Sequence, residues 1–215
     1  MADAPETAGQ LAILGRITSI NVRKVTWTAD LIGLSYRTEV WGLPQRDPRE
    51  AEFLKLNPNA QVPVILDDGF VLWESGAIMR YLARKHRSGL WPADMKERAL
   101  CDQWLTWQAT ELNPPWGYAV MALMRKNPAY TDKARIEESI ARWSGAMGIL
   151  EAQLRQTGGF VVNGRLSLAD IVMALSSHRW FSTPFDKPEL PAVRAHYETM
   201  KATPEGAKYM GEGTP

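Results

Sequence analysis

Apolar positions along the chain follow two regimes. Up to about His86 they come in short runs and alternations. Leu11-Ala12-Ile13-Leu14 is a compact apolar run that reads as a strand. After the polar loop Gly15 to Ser19, Val22, Val25, Ala29 and Ile32 recur at helical spacing, and Gly33 stands where a helix favours a left-handed stop. Tyr36, Thr38 and Val40 alternate as a second strand. Strand, helix, strand implies parallel pairing with a right-handed crossover. A polar segment with prolines, Gly42 to Arg49, leads to a short helical piece, Glu50 to Leu56. Pro63 to Leu66 and Phe70 to Leu72 flank Asp67-Asp68-Gly69, a hairpin signal. From Ser75 a helix runs through Ile78, Tyr81 and Leu82. The order is β-α-β-α-β-β-α.

Beyond His86 the pattern is helical only. Leu100, Trp104 and Trp107 mark one helix face, and Pro114-Pro115 is expected to kink or end that helix. Ile136, Ile140, Trp143, Met147, Leu150 and Leu154 step by threes and fours, an amphipathic helix. Ser167-Leu168-Ala169-Asp170 is a capping box with Asp in place of Glu, flanked by Leu166 and Ile171 at the hydrophobic-staple positions. It opens an apolar helix to about Trp180, and a last helix covers about Pro191 to Met200. The expected division is a flexible tail at 1–10, an α/β domain at 11–86, a linker at 87–93 and an all-helical domain at 94–215.

Composition narrows the function classes. A chain of 215 residues is long enough for two small domains. With 25 Lys and Arg against 24 Asp and Glu, nucleic acid is a poor partner. No apolar run spans a bilayer, and the first ten residues lack the apolar core of a signal peptide. The single cysteine, Cys101, forbids an internal disulfide and fits a reducing, cytoplasmic setting. His86, His178 and His196 lie far apart, so no metal site is expected. Nine tryptophans must be spent on cores, an interface or an aromatic pocket.

Two segments are specific. They are Asn57-Pro58-Asn59-Ala60-Gln61-Val62-Pro63-Val64 and Trp73-Glu74-Ser75-Gly76-Ala77-Ile78-Met79-Arg80-Tyr81-Leu82. In this order, between those strands and before an all-helical domain, the chain resembles the cytosolic glutathione transferases from about Leu11 to Met200. The resemblance implies a thioredoxin-like α/β domain that binds glutathione, followed by an all-α domain. It implies a cis Val62-Pro63 bond, with the Val62 N–H and C=O pairing with the cysteinyl part of the tripeptide, a miniature strand addition. Ser75 would hold the γ-glutamyl carboxylate at a helix start, where N–H groups favour an anion, and Glu74 would take the ammonium. Gln61 is placed for the glycyl end. Asp102, in a segment like the first helix of the second domain of theta-like members, would reach the ammonium of a partner subunit's ligand in a homodimer.

The reaction needs a thiolate. A free thiol titrates near about 8.5, and lowering it by about two units requires roughly 2.7 kcal/mol. One charge-assisted hydrogen bond supplies about 1.5–3 kcal/mol, and a helix N-terminus adds up to about 1. The loop after the first strand offers three donors. Ser19 matches the theta-type serine, Asn21 the asparagine of nu-type bacterial members, and Thr18 the zeta or tau position. Each could equally be an ordinary cap of the first helix. No cysteine occupies this loop, which counts against mixed-disulfide chemistry.

Candidates for the pocket of a hydrophobic electrophile are Ile17, Trp107, Glu111, Trp116, Tyr118, Met121, Met124 and Trp180. Each could instead belong to a core or an interface. Arg125 would favour anionic substrates if it faced that pocket. The reading is a homodimeric transferase that conjugates glutathione to hydrophobic electrophiles. The alternatives are a nu-type peroxidase or disulfide reductase and a non-catalytic glutathione-binding module.

Overall fold

The computed structural model describes residues 10–211. The tail expected over 1–10 therefore lies outside the described residues except for Gln10. Packing divides the chain into two compact units between Ser88 and Gly89, within the stretch read as a linker.

The first unit runs β1 (Leu11–Leu14), α1 (Ile20–Ile32), β2 (Tyr36–Glu39), α2 (Ala51–Leu54), β3 (Val64–Asp67), β4 (Phe70–Trp73) and α3 (Ser75–Lys85). The sheet order is β2-β1-β3-β4; β1 pairs parallel with β2 and antiparallel with β3, and β3 pairs antiparallel with β4. All four residues of β1 are buried, which is why it reads as a continuous apolar run. Ala12 and Leu14 join Trp41, Phe53 and Val64 in one core cluster. Leu11 and Ile13, pointing the opposite way by the strand's alternation, serve the other face. There α1 and α3 pack together.

The hairpin forms as expected, with Asp68 and Gly69 both left-handed at φ 51° and 80°, the backbone of a two-residue turn that follows sheet twist. Asp67 beside it is buried and accepts hydrogen bonds from Tyr81 Oη at 2.6 Å and Lys85 Nζ at 2.5 Å. Burial pushes its carboxyl up, but these donors outweigh that and hold it below the ordinary carboxylate range. The second strand differs from expectation. It stops at Glu39, Val40 is exposed, and Trp41 takes the buried place. As an edge strand, β2 has no need to turn a full apolar face inward.

The second unit contains α4 (Met95–Trp107), α5 (Asn113–Ala119), α6 (Lys133–Thr157), α7 (Leu168–Ser182), α8 (Pro191–Lys201) and α9 (Pro204–Tyr209). The helix before Pro114-Pro115 ends at Trp107, upstream of the prolines. A π-helical turn at Gln108–Leu112 intervenes, and the prolines fall in the first turn of α5, where a missing N–H costs little. The helix at Pro191 is not the last either. Thr203 caps α9, its hydroxyl accepting the Gly206 N–H at 2.9 Å.

The capping box of α7 is complete. The Ser167 N–H and hydroxyl both donate to Asp170 Oδ2 at 2.8 Å, while Oδ1 accepts the Val161 N–H at 2.8 Å and lies 3.1 Å from His196 Nε2. Trp143, Met147, Leu150 and Leu154 bury the inner face of α6. Cys101 is buried among packed helices. Among the described residues, no helix is long and apolar enough to cross a membrane, and no His, Cys, Asp and Glu group could hold a metal.

Candidate functional site

Four segments of the first unit converge: the loop before α1, the turn before β3, the junction of β4 with α3, and the start of α1. Gly15 makes the approach possible. Its φ is 149°, and a Cβ there would stand 2.4 Å from Val22 Cγ2 and 3.1 Å from Val62 Cβ. Only a glycine lets the chain pass between α1 and Val62. Arg16 then donates to the Leu43 carbonyl, tying this loop to the segment after β2.

The Val62-Pro63 bond is cis, as the resemblance implies, and so is Leu43-Pro44, which nothing in the sequence announced. The loop before Val62 is built by Asn57, which is buried. Its Nδ2 donates to the Gln61 carbonyl at 2.8 Å, and its Oδ1 accepts from the Asn59 N–H and Nδ2, each at 3.0 Å. Among the described residues, neither the N–H nor the C=O of Val62 has a hydrogen-bond partner. Half-buried backbone groups are seldom left so unless a ligand or water completes them.

At the β4–α3 junction Glu74 adopts a left-handed φ of 73° and is exposed. Ser75, buried to 8% exposure, is the first residue of α3. Ser75 is thus not an N-cap, since Glu74 holds that position and its side chain makes no capping bond. The left-handed backbone of Glu74 turns the chain sharply into the helix. A non-glycine residue held there by its surroundings commonly marks a functional site.

Ser19 is the N-cap of α1, in extended backbone, yet its side chain makes no capping bond. Asn21 is differently engaged, its Oδ1 accepting from the Ser75 hydroxyl at 3.5 Å. Thr18 and Ile17 are exposed on the loop, and Gln61 is exposed beside Val62. The helix start, Asn21 and Ser75 therefore form one polar patch.

The pocket candidates of the second unit do not form a single wall. Trp180 is fully buried, 4.9 Å from the Trp143 ring and 5.0 Å from that of Phe185, so it is core and lines no pocket. It belongs to the stretch Leu168 to Trp180, every residue of which is buried. Tyr118 and Met121 face a cleft of about 510 Å³ shared with Tyr130, Arg135, Glu138 and Arg142. Three charged side chains thus line this cleft beside Pro114 and Pro115. Trp116 is half-buried and lies 6.4 Å from the Trp143 ring. Trp107 is half-buried, edge-on to Trp104 at 5.0 Å, and Glu111 is exposed on the π turn Gln108–Leu112. Asp102 is exposed on α4.

Three features escaped sequence reasoning. The scaffold role of Asn57 was present only as a motif letter. The left-handed backbone of Glu74 has no signal in its residue type. Arg179 had one: it interrupts the apolar helix α7 and is nonetheless buried.

The family model described as "Glutathione S-transferase, N-terminal domain" matches residues 18–85, and its C-terminal counterpart matches residues 118–213. Glutathione S-transferase GstB of Escherichia coli (strain K12) is 29% identical over 90% of this chain and 94% of its own length. Glutathione S-transferase D7 of Drosophila melanogaster is 31% identical over 85% of this chain and 80% of its own. The theta class glutathione S-transferase of Xanthomonas axonopodis pv. citri, solved with glutathione bound, is 30% identical with a TM-score of 0.90, covering 96% of this chain and all of that one. The chain belongs to the glutathione S-transferase family.

Proposed function

We propose that the protein is a glutathione transferase of the serine type. The single observation that carries this reading is the start of α1. Ser19 holds the N-cap position with a hydroxyl that caps nothing, while Asn21 is bonded to Ser75. An uncommitted donor at a helix N-terminus is what a thiolate requires.

Glutathione would lie extended against Val62, whose unpaired N–H and C=O would take the cysteinyl backbone. Ser75 would bind the γ-glutamyl carboxylate, with Glu74 on its ammonium and Gln61 toward the glycyl end. Ser19 would donate to the sulfur, with Asn21 orienting Ser75 and Thr18 standing by as an exposed alternative. The thiol proton leaves to solvent. The thiolate attacks an electrophilic carbon, a C–S bond forms, and the leaving group departs with its electron pair. In this reading Ile17, Trp107, Glu111, Trp116, Tyr118 and Met121 are candidates to meet the electrophile. Asp102 serves the partner subunit's ligand in a cytoplasmic homodimer. The support from relatives is their family name and, for the Xanthomonas enzyme, glutathione itself.

The test is the ionisation of bound glutathione, followed by thiolate absorbance. Ser19→Ala is expected to raise its pKa by about one to two units, the size of one lost charge-assisted hydrogen bond. If Asn21→Ala raises it and Ser19→Ala does not, Asn21 is the donor. If glutathione fails to bind in calorimetry, the whole reading falls.

A further inference from the structure

We infer that Arg16 is a positioning residue of the thiolate site: it sets where the Ser19 hydroxyl points by tying the loop before α1 to Gly42 and Leu43. The inference rests on the glutathione transferase reading, with Ser19 as the donor to sulfur, and adds the residue on which that donor depends.

The loop between β1 and α1 runs from Gly15 to Ser19. The Gly15 N–H donates to the carbonyl of Glu39, the last residue of β2, at 2.8 Å. The Ser19 N–H donates to the Arg16 carbonyl at 3.0 Å, so a tight turn runs from Arg16 to Ser19. Between them, Ile17 and Thr18 are exposed and make no hydrogen bond among the described residues. The side-chain tie of this turn comes from Arg16, whose guanidinium donates to the Leu43 carbonyl.

What receives the arginine is itself fixed. Gly42 has a φ of 120°, and a Cβ there would stand 3.0 Å from Arg16 Cδ and 3.2 Å from both Cγ and Nε. The arginine stem therefore lies flat on the Gly42 backbone, where a side chain would lift it away. The Gly42 N–H donates to the Arg46 carbonyl at 2.7 Å, and the Arg46 guanidinium carbon lies 3.6 Å from the centre of the Trp41 ring. Trp41 packs on Phe53 in the core of this unit, their rings 4.8 Å apart. A line of contacts thus runs from that core through Trp41, Arg46, Gly42 and Arg16 to Ser19.

Stability alone does not ask for this contact. Arg16 and Leu43 are both exposed, so water would serve each of them, and the bond adds little to the fold. Its effect is geometric. A hydrogen bond weakens steeply as its angle closes, and a group misplaced by about 1 Å can cost about a hundredfold in rate. The Ser19 hydroxyl caps nothing, so no bond of its own holds its direction and the backbone turn has to set it.

The test is a double-mutant cycle on the full-length protein, read as the pKa of bound glutathione from thiolate absorbance. Arg16→Met keeps an apolar stem and removes the donor. It is expected to raise that pKa by about half a unit to one unit, part of what Ser19→Ala does. In the Ser19→Ala background the same substitution should shift it by less than about 0.2 unit, because the two act through one hydroxyl. Arg16→Gln, polar but too short to reach Leu43, should behave as Arg16→Met does and stands in if that variant fails to fold. At about pH 5.5, below the ionisation of the bound thiol, glutathione affinity should change by less than about twofold, since the groups that hold the peptide are untouched. If Ser19→Ala raises the pKa and neither Arg16 variant does, the positioning role is overturned and the transferase reading stands. Equal shifts in both backgrounds overturn it too, because the charge would then act on the sulfur directly. If glutathione does not bind, or Ser19→Ala leaves its pKa unchanged, the serine-type reading falls and the role of Arg16 with it.

Discussion

Helices α3 and α7 both open with a serine close to an acidic residue, Glu74-Ser75 in one and Ser167 with Asp170 in the other. At α7 every polar atom is spent inward. Asp170 is wholly buried and accepts from Ser167, Val161 and His196. At α3 the side chains cap nothing, Glu74 is exposed on a left-handed backbone, and Ser75 reaches only a long contact with Asn21. The contrast extends further. In the second unit Asp94, Asp132 and Thr203 cap α4, α6 and α9 with their side chains, while in the first unit the caps of α1 and α3 are unused. A helix start that satisfies itself is structure. One that leaves its N–H groups and hydroxyls unspent is a place for an anion.

Three measurements would break or sharpen that contrast. The largest effect is expected at the closed junction. Asp170→Ala strands the Ser167 N–H and hydroxyl, the Val161 N–H and His196 Nε2 in the core and should destabilise the protein by about 3–5 kcal/mol, read from the denaturant midpoint. A loss under about 1 kcal/mol would mean that the box is not structural. At the open junction the effect should move from stability to binding. Ser75→Ala and Glu74→Ala should each weaken glutathione about tenfold in calorimetry. Their stability should shift by less than about 0.5 kcal/mol, because no cap is removed. A cap-sized destabilisation of about 1 kcal/mol by Ser75→Ala would erase the distinction.

The smallest effect concerns Asp67, whose buried carboxylate ties the β3–β4 hairpin to α3. Its pKa is depressed, so the stability it contributes is present above the ordinary carboxylate range and is lost as pH falls through its lower folded value. Asp67→Asn should cost about 1 kcal/mol near neutrality, discounted for the partly exposed Lys85. The difference from the unsubstituted protein should shrink below about pH 4 in acid unfolding curves. A difference that persists at pH 2 would assign the effect to packing instead.

Much of the fold was legible because it depends on local rules. The four-residue apolar run of β1, the Asp68-Gly69 turn and the Ser167 to Asp170 box each carry their own chemistry in adjacent letters. The prolines at 114 and 115 announce an interruption of the helix, but the π turn just upstream of them has no letter of its own. Trp180 misled because an aromatic on a helix face looks the same whether it meets a core or a pocket. Tyr118 and Met121 share a cleft with Arg135, Glu138 and Arg142, which lie too far along the chain for any local pattern to join them.

What the sequence by itself determined is the order of elements in the first unit and the two-part architecture, because hydrophobic period, turn residues and caps act within a few positions. What only the tertiary structure decided is which polar groups remain unspent. Ser19 without a capping bond, Asn21 drawn to Ser75, and Arg16 laid across Gly42 to the Leu43 carbonyl are facts about partners distant in the chain. Hydrogen bonds and counter-ions are satisfied in space, so no reading of neighbouring letters reveals which donors are left for a substrate.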